Sequence, residues 1–212
     1  MPGKPVASAC GRTAMILAGG RSSRMGANKA LLELNGKTLI EIMLDKVSGF
    51  GEILLVANDE DAYGRLKGRG VRLVRDIVPG QGPVSGIHAG LSAAAGDCAL
   101  ALPCDMPLLP AGFAEYIFAL ADGGGFDIVA PFWEGRYQPL CAVYRKTCIG
   151  PMESNLKSGL NRLAGIYGGC GLRVRAVCAD EMEAFGDAQD FFRNVNDPRA
   201  YEELCARAAA SA

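Results

Sequence analysis

The strongest constraint in this chain is a repeated alternation. Short apolar runs, each closed by glycine, proline, asparagine or an acid, are separated by stretches with helical spacing. Thr13–Leu17, Ile53–Ala57, Val71–Val74, Ala99–Leu102 and Ile128–Ala130 read as buried strands. Thr38–Ser48 carries Leu39, Ile40, Met43, Leu44 and Val47 on one helical face, and Asp59–Leu66 reads as a short helix. After the breaker run Pro79–Pro83 a helix is expected to about Ala95, and another over Ala111–Ala121. Tyr137–Tyr144 reads as a strand, Thr147–Leu156 and Leu160–Ile166 as helical, and Leu172–Val177 as the strand that closes the sheet. Pro198–Ala208 reads as a last helix with proline in its first turn. Such alternation builds βαβ units, so an α/β fold with a mostly parallel central sheet and helices on both faces is expected. In sheets of this kind ligands sit beyond the C-terminal ends of the strands.

Length and composition narrow the classes. A chain of 212 residues, half of them apolar, buries a full core in one domain. Residues 1–12 are expected to form a frayed, flexible end and residues 13–212 a single domain. Lys plus Arg number 22 and Asp plus Glu 23, so the basic excess of a general nucleic-acid binder is missing. No apolar run is long enough to span a bilayer, and the N-terminus lacks a signal-peptide core. The expectation is therefore a cytoplasmic protein with neither nucleic acid nor membrane as partner. The eight cysteines form no C-x-x-C pair, and His88 is the single histidine. The cysteines read as small buried hydrophobes, and a histidine-based nucleophilic triad has almost nothing to draw on.

The segments just past the strands hold the candidate chemistry. After Thr13–Leu17 comes Leu17–Ala18–Gly19–Gly20–Arg21–Ser22–Ser23–Arg24–Met25–Gly26–Ala27–Asn28–Lys29. Its glycines allow backbone N–H groups to approach an anion, and Arg12, Arg21, Arg24, Lys29 and Lys37 fall in the region. A polyphosphate suits this loop; a glycine-rich turn with solvated charges is the bland alternative. Neither the Walker pattern nor G-x-G-x-x-G is present. After Ala99–Leu102 stands Asp105, between Pro103 and Pro107. A carboxylate at that edge suits a hard cation such as Mg²⁺, or else caps the helix near Ala111. Asp76 comes after a third strand, Gly82–Pro83 open a helix whose start can meet a base or phosphate, and Asn58 ends a strand or caps the Asp59 helix.

In this order the pieces resemble the molybdenum cofactor guanylyltransferases, from Thr13 to about Pro198. The family's L-A-G-G-x-S-x-R-M-G-x-x-K is matched over Leu17–Lys29, G-P-[LV]-x-G-I over Gly82–Ile87, and C-D-M-P over Cys104–Pro107. Q-P-L followed by A-x-Y is matched over Gln138–Tyr144, and N-[IV]-N over Asn194–Asn196. The resemblance implies a Rossmann-like, GT-A-type nucleotidyltransferase fold. It implies transfer of GMP from GTP to the terminal phosphate of molybdopterin, as Mo-molybdopterin, with release of pyrophosphate. Leu17, Ala18, Gly19 and Gly20 would hold the nucleotide, with Gly82 and Pro83, and Lys29 would contact its phosphates. Asn58 and Asp76 would help bind guanosine. Asp105 would bind Mg²⁺, Arg24 and Lys29 would stabilise the departing pyrophosphate, and Gln138, Asn194 and Asn196 would face the pterin. Molybdenum-insertion proteins and molybdoenzyme chaperones are the implied protein partners.

Two positions depart from the pattern. Asn28 stands where the family often has aspartate, and Asp197 and Arg199 interrupt the usual continuation N-x-N-T-P-E-D. The alternatives are the cytidylyltransferase acting on the same cofactor, whose loop more often reads L-A-A-G, a cobinamide or isoprenoid-precursor nucleotidyltransferase, and a non-catalytic GTP-binding module.

Overall fold

The computed structural model describes residues 11–19, 28–76, 81–110, 112–159 and 163–210. The chain runs β1 (Thr13–Leu17), β2 (Glu33–Leu34), β3 (Lys37–Thr38), α1 (Leu39–Lys46), β4 (Glu52–Val56), β5 (Val71–Val74), α2 (Pro83–Ala93), β6 (Cys98–Pro103) and α3 (Phe113–Asp122). It continues with β7 (Ile128–Trp133), β8 (Arg136–Tyr137), β9 (Ala142–Arg145), α4 (Ile149–Lys157), α5 (Ala164–Gly168), β10 (Val174–Val177), α6 (Ala179–Glu183), α7 (Ala188–Phe191) and α8 (Pro198–Ala210). The main sheet has the order β10-β7-β9-β6-β1-β4-β5, with β8 paired to β7. All its pairings along this order are parallel except the two made by β9, which runs antiparallel between β6 and β7.

The strands are apolar because both faces are covered. All six residues of β6 are buried. Side chains alternate between two cores: Ala14 and Ile16 of β1 join Leu100, Leu102, Met43 and Phe118 on one face, while Met15 joins Val84, Ile87 and Met152 on the other. A third, smaller core of Leu34, Leu39, Val195 and Leu204 lies away from the sheet. Among the described residues no helix is long and apolar enough to cross a membrane.

Several boundaries differ from the sequence-based expectation. Tyr137–Tyr144 is not one strand: the Gln138–Cys141 turn, closed by the Cys141 N–H to Gln138 C=O bond of 3.0 Å, divides it into β8 and β9. The helical stretch at Leu160–Ile166 appears as α5, with residues 160–162 outside the described set. Asp59, not Asn58, caps the helical turn after β4, through its Oδ1 and the Ala62 N–H at 3.1 Å. Residues 1–10 lie outside the described set. Arg12 is buried, pairs with Asp122 at 3.0 Å and stacks its guanidinium over Phe118 at 5.3 Å.

Helix α2 lies close to β1 and β4, and Gly90 is the reason it can. A Cβ there would stand 2.6 Å from Met15 Sδ and 3.0 Å from Val56 Cγ2. Gly90→Val is expected to lower stability by about 1–3 kcal/mol through overpacking. For a domain of this size the midpoint of thermal unfolding should then fall by about 2–4 °C per kcal/mol, measurable by calorimetry.

Candidate functional site

The sheet brings four strand ends into one row. Leu17 of β1 is in register with Val56 of β4 and with Pro103 of β6, and Val56 is in register with Val74 of β5. Two residues beyond these positions stand Gly19, Asn58, Asp105 and Asp76. The ladder continues one step past the row, with Ala18 N–H to Val56 C=O at 2.9 Å, Ala57 N–H to Val74 C=O at 3.0 Å and Cys104 N–H to Leu17 C=O at 3.1 Å. The strand order reverses across β1, since β4 and β5 lie on one side and β6 on the other. Such a switch point opens a crevice at the C-terminal edge.

At the β6 end, the Lys29 ammonium forms an ion pair with the Asp105 carboxylate. Lys29 begins a single helical turn, Lys29–Leu31, whose first N–H groups are capped by Asn28: its Oδ1 accepts from Ala30 N–H at 3.2 Å. The Asp105 side chain is 7% exposed. It does not cap the helix near residue 111; α3 starts at Phe113 after Gly112. The neighbouring Cys104 thiol is pushed up to about 12, chiefly by burial and then by the Asp105 charge, so it stays protonated and is no nucleophile. On the other side, Val195 N–H donates to the Asp105 C=O at 3.1 Å. Val195 is buried while Asn194 and Asn196 are exposed on either side of it. Residues nearly a hundred positions apart are thus brought together at one strand end.

At the β4–β5 end, Asn58 Oδ1 accepts from Asp76 N–H at 3.1 Å, and an Asp76 carboxylate oxygen accepts from the buried Ser85 hydroxyl. Ser85 lies in the first turn of α2, so Asp76 is anchored to the helix start that Gly82 and Pro83 form. Gly82 has φ 74°, a value at which an L side chain is strained, and Pro83 occupies the first turn, where its missing N–H costs nothing. Sequence reasoning misses Ser85 as a site residue, although it lies inside the G-P-V-S-G segment.

Other expected residues fall elsewhere. Gly20 and Arg24 lie outside the described residues. Arg12 and Lys37 are not part of the basic group near the loop. Arg12 precedes β1, at the opposite edge of the sheet, and Lys37 pairs with Asp45 at 2.8 Å in an exposed position. Gln138 sits past β8 at the β7 end, with its N–H on Pro131 C=O at 2.8 Å, and β7 is two strand spacings, about 10 Å, from β6. His88 is buried on α2, with Nε2 3.3 Å from Glu153 Oε1, so it faces α4 rather than the strand ends.

The donors around Asp105 suit a magnesium ion. Its carboxylate is a hard oxygen ligand at the crevice edge, the adjacent thiol is protonated, and His88 is committed elsewhere. Mg²⁺ characteristically takes one or two carboxylates and fills its remaining positions with water and substrate phosphates. Among the described residues, three metal-ligating groups converge only at Cys178, Asp180 and Glu181, beyond β10. There Glu181 is already engaged by Arg175 and Tyr116.

Comparisons with known proteins bear on the family and the fold. A probable molybdenum cofactor guanylyltransferase from Pelotomaculum thermopropionicum is 38% identical over 191 residues, covering 88% of both chains. The crystal structure of molybdopterin-guanine dinucleotide biosynthesis protein A from Archaeoglobus fulgidus superposes with a TM-score of 0.80 at 25% identity, covering 93% of this chain and 99% of that one. A Mycobacterium tuberculosis protein solved in complex with manganese shares the fold, with a TM-score of 0.67 at 17% identity over 92% of this chain and 97% of that one. The family model described as the MobA-like NTP transferase domain matches residues 14–169, and the chain belongs to that family of nucleotidyltransferases.

Proposed function

We propose that this protein transfers GMP from GTP to the terminal phosphate of molybdopterin, carried as Mo-molybdopterin, forming the guanine dinucleotide and releasing pyrophosphate. The observation that carries the reading is the row of strand ends that sets Asn58 and Asp76 at one end and Asp105, with Lys29, at the other. Three strand spacings, about 14 Å, separate β5 from β6, room for a nucleoside triphosphate laid across the edge. The names of the relatives support the choice of nucleotide and acceptor.

The chemistry needs little from the protein beyond position and charge. The attacking group is a phosphate monoester, whose second pKa near 6 leaves it anionic at neutral pH. One of its oxygens forms a bond to the α-phosphorus of GTP, and the bond from that phosphorus to the β-bridging oxygen breaks, its electron pair leaving with pyrophosphate. No proton has to be removed, which fits a site with no histidine. Lys29 offers a point charge to the phosphates. Asp105 would hold Mg²⁺, which when bound neutralises phosphate charge. Asn58 and Asp76 hold the guanosine end, and a carboxylate there accepts from guanine N1–H and the exocyclic amine, a donor pair that cytosine lacks. Gly19 and Gly20 with Leu17 and Ala18 receive the nucleotide backbone-first, beside Gly82 and Pro83, and Arg24 adds charge for the leaving group. Asn194, Asn196 and Gln138 serve the pterin side, beyond Asp105 from the guanosine. The cytoplasm is the proposed compartment, in keeping with the free thiols of Cys98, Cys104, Cys141, Cys148, Cys170, Cys178 and Cys205. Docking of molybdenum-insertion proteins or molybdoenzyme chaperones would serve to deliver acceptor or collect product.

Incubation with molybdopterin, Mg²⁺ and each nucleoside triphosphate in turn, with products read by mass, tests the reading. GTP is expected to give the dinucleotide with a kcat/KM well above that for CTP. Equal values for the two would refute the guanylyl assignment.

The ion pair yields a second prediction. Lys29→Ala and Asp105→Asn should each lower turnover by at least about a hundredfold, the scale of losing a charge-stabilising group. GTP binding without metal should fall much less in Asp105→Asn, and its rate should lose its dependence on Mg²⁺ concentration. Stability should separate the two variants. Lys29→Ala leaves a buried carboxylate without its cation, at a cost of about 3 kcal/mol, and adding Asp105→Asn should recover most of that loss. Urea unfolding of the three variants reads this directly, and an Asp105→Asn protein with unaltered rate would move the metal site elsewhere.

A further inference from the structure

We infer that Tyr63 is a positioning residue for Lys29, its phenol tying the end of β1 at Ala18 to Asn28, which caps the turn that carries the lysine. The inference rests on the nucleotidyl-transfer reading and adds to it a residue that no motif marks.

The geometry forms a relay. Asn28 Nδ2 donates to the Tyr63 phenol oxygen at 3.0 Å, and the phenol O–H reaches the Ala18 C=O at 3.4 Å. The phenol oxygen is also 3.2 Å from Asn28 Oδ1, which can accept from it as well as from the Ala30 N–H, so the single phenol proton is shared between Asn28 Oδ1 and the Ala18 C=O and the phenol bridges the two residues. Ala18 and Asn28 flank the glycine-rich segment, so one side chain from a different element sets the separation of its two ends. Tyr63 belongs to the helical turns at Asp61–Arg69, just past Asn58, and so links the guanosine end of the edge to the phosphate end.

Packing alone does not account for the hydroxyl. Tyr63 lines one small apolar void together with Leu55, Leu66, Val71 and Leu73, a setting that a phenylalanine ring would suit equally. Burial pushes the phenol up to about 12, so at neutral pH it remains a donor. The asparagine also gains a reason. The resemblance leads to aspartate at position 28, yet a carboxylate cannot both accept from Ala30 and donate to the phenol, whereas an amide does both.

Tyr63→Phe keeps the ring and removes only the relay. With the nucleotide that the wild-type protein prefers, kcat is expected to fall about tenfold, the effect of one net hydrogen bond, while KM for that nucleotide changes less than about twofold. The kcat effect arises because charge on Lys29 matters most as it builds on the leaving pyrophosphate. Asn28→Ala should lose a similar factor, and the double variant should be no worse than the poorer single one, since both break one chain of contacts. Thermal unfolding of each variant controls for global damage. A Tyr63→Phe protein with wild-type kcat, or a double variant whose losses multiply to about a hundredfold, would overturn the inference. A wild-type preference for a nucleotide other than GTP would instead overturn the guanylyl reading and leave the Tyr63 comparison intact.

Discussion

The ion pair between Lys29 and Asp105 is the interaction on which the arrangement depends. Removing a carboxylate from water costs several kcal/mol, and a paired ammonium returns only part of it. A buried pair of this kind is therefore a poor device for stability and a good one for chemistry. It keeps a negative oxygen and a positive nitrogen together at a strand end, as the proposed phosphate and metal chemistry requires. The rest of the fold supplies what the pair cannot: β6 is buried along its whole length, and Pro103 and Pro107 restrict the backbone on either side of Asp105.

The third core explains how the pair keeps its place. Lys29 is followed by the β2–β3 hairpin, whose Leu34 packs with Leu39, Val195 and Leu204. Leu108, three residues past Asp105, packs against the same cluster. Tyr201 of α8 donates its hydroxyl to the Glu33 carbonyl, fastening the last helix to the hairpin. Three segments distant in sequence (the lysine turn, the Asp105 loop and the Asn194–Asn196 segment) are thus bound by one small apolar cluster rather than by the sheet.

Much of the fold was legible because parallel strands must be apolar. Thr13–Leu17 and Val71–Val74 have the expected limits, and Cys98–Pro103 extends the expected run by one residue at each end. The positions of Gly19, Asn58, Asp76 and Asp105 just past those strands were legible for the same reason, and the register brings them into one row. What the sequence could not show was adjacency. Nothing local states that β9 runs antiparallel between β6 and β7, or that Val195 meets Asp105. Proximity in sequence also misled. Arg12 and Lys37 lie near the glycine loop in the chain, yet a five-residue strand carries Arg12 about 17 Å to the far edge. The β2–β3 hairpin did have a local signal: Asn35–Gly36, both at positive φ, is the two-residue turn that matches strand twist. Helices α6 and α7, of five and four residues, are too short for periodicity to reveal.

A site that transfers a nucleotidyl group to an already anionic acceptor relies on geometry, because in-line attack and leaving-group charge leave little for acid–base groups to do. This shifts the burden onto residues that never touch substrate. Asp76, proposed to face guanosine, is held by Asn58 and Ser85, and Ser85 is fixed by the first turn of α2. Helix α2 in turn sits where it does because Gly90 lets it approach Met15 and Val56. The end proposed for guanosine is therefore set by close helix–sheet packing, whereas the end proposed for the phosphates is set by a hairpin and a terminal helix around a separate small core. The two supports lie on either side of the β1 end, where Leu17 packs into the α2-side core and Ala18 into the core on the opposite face. Perturbing the first support should act mainly on the choice of base, and perturbing the second on the rate of transfer.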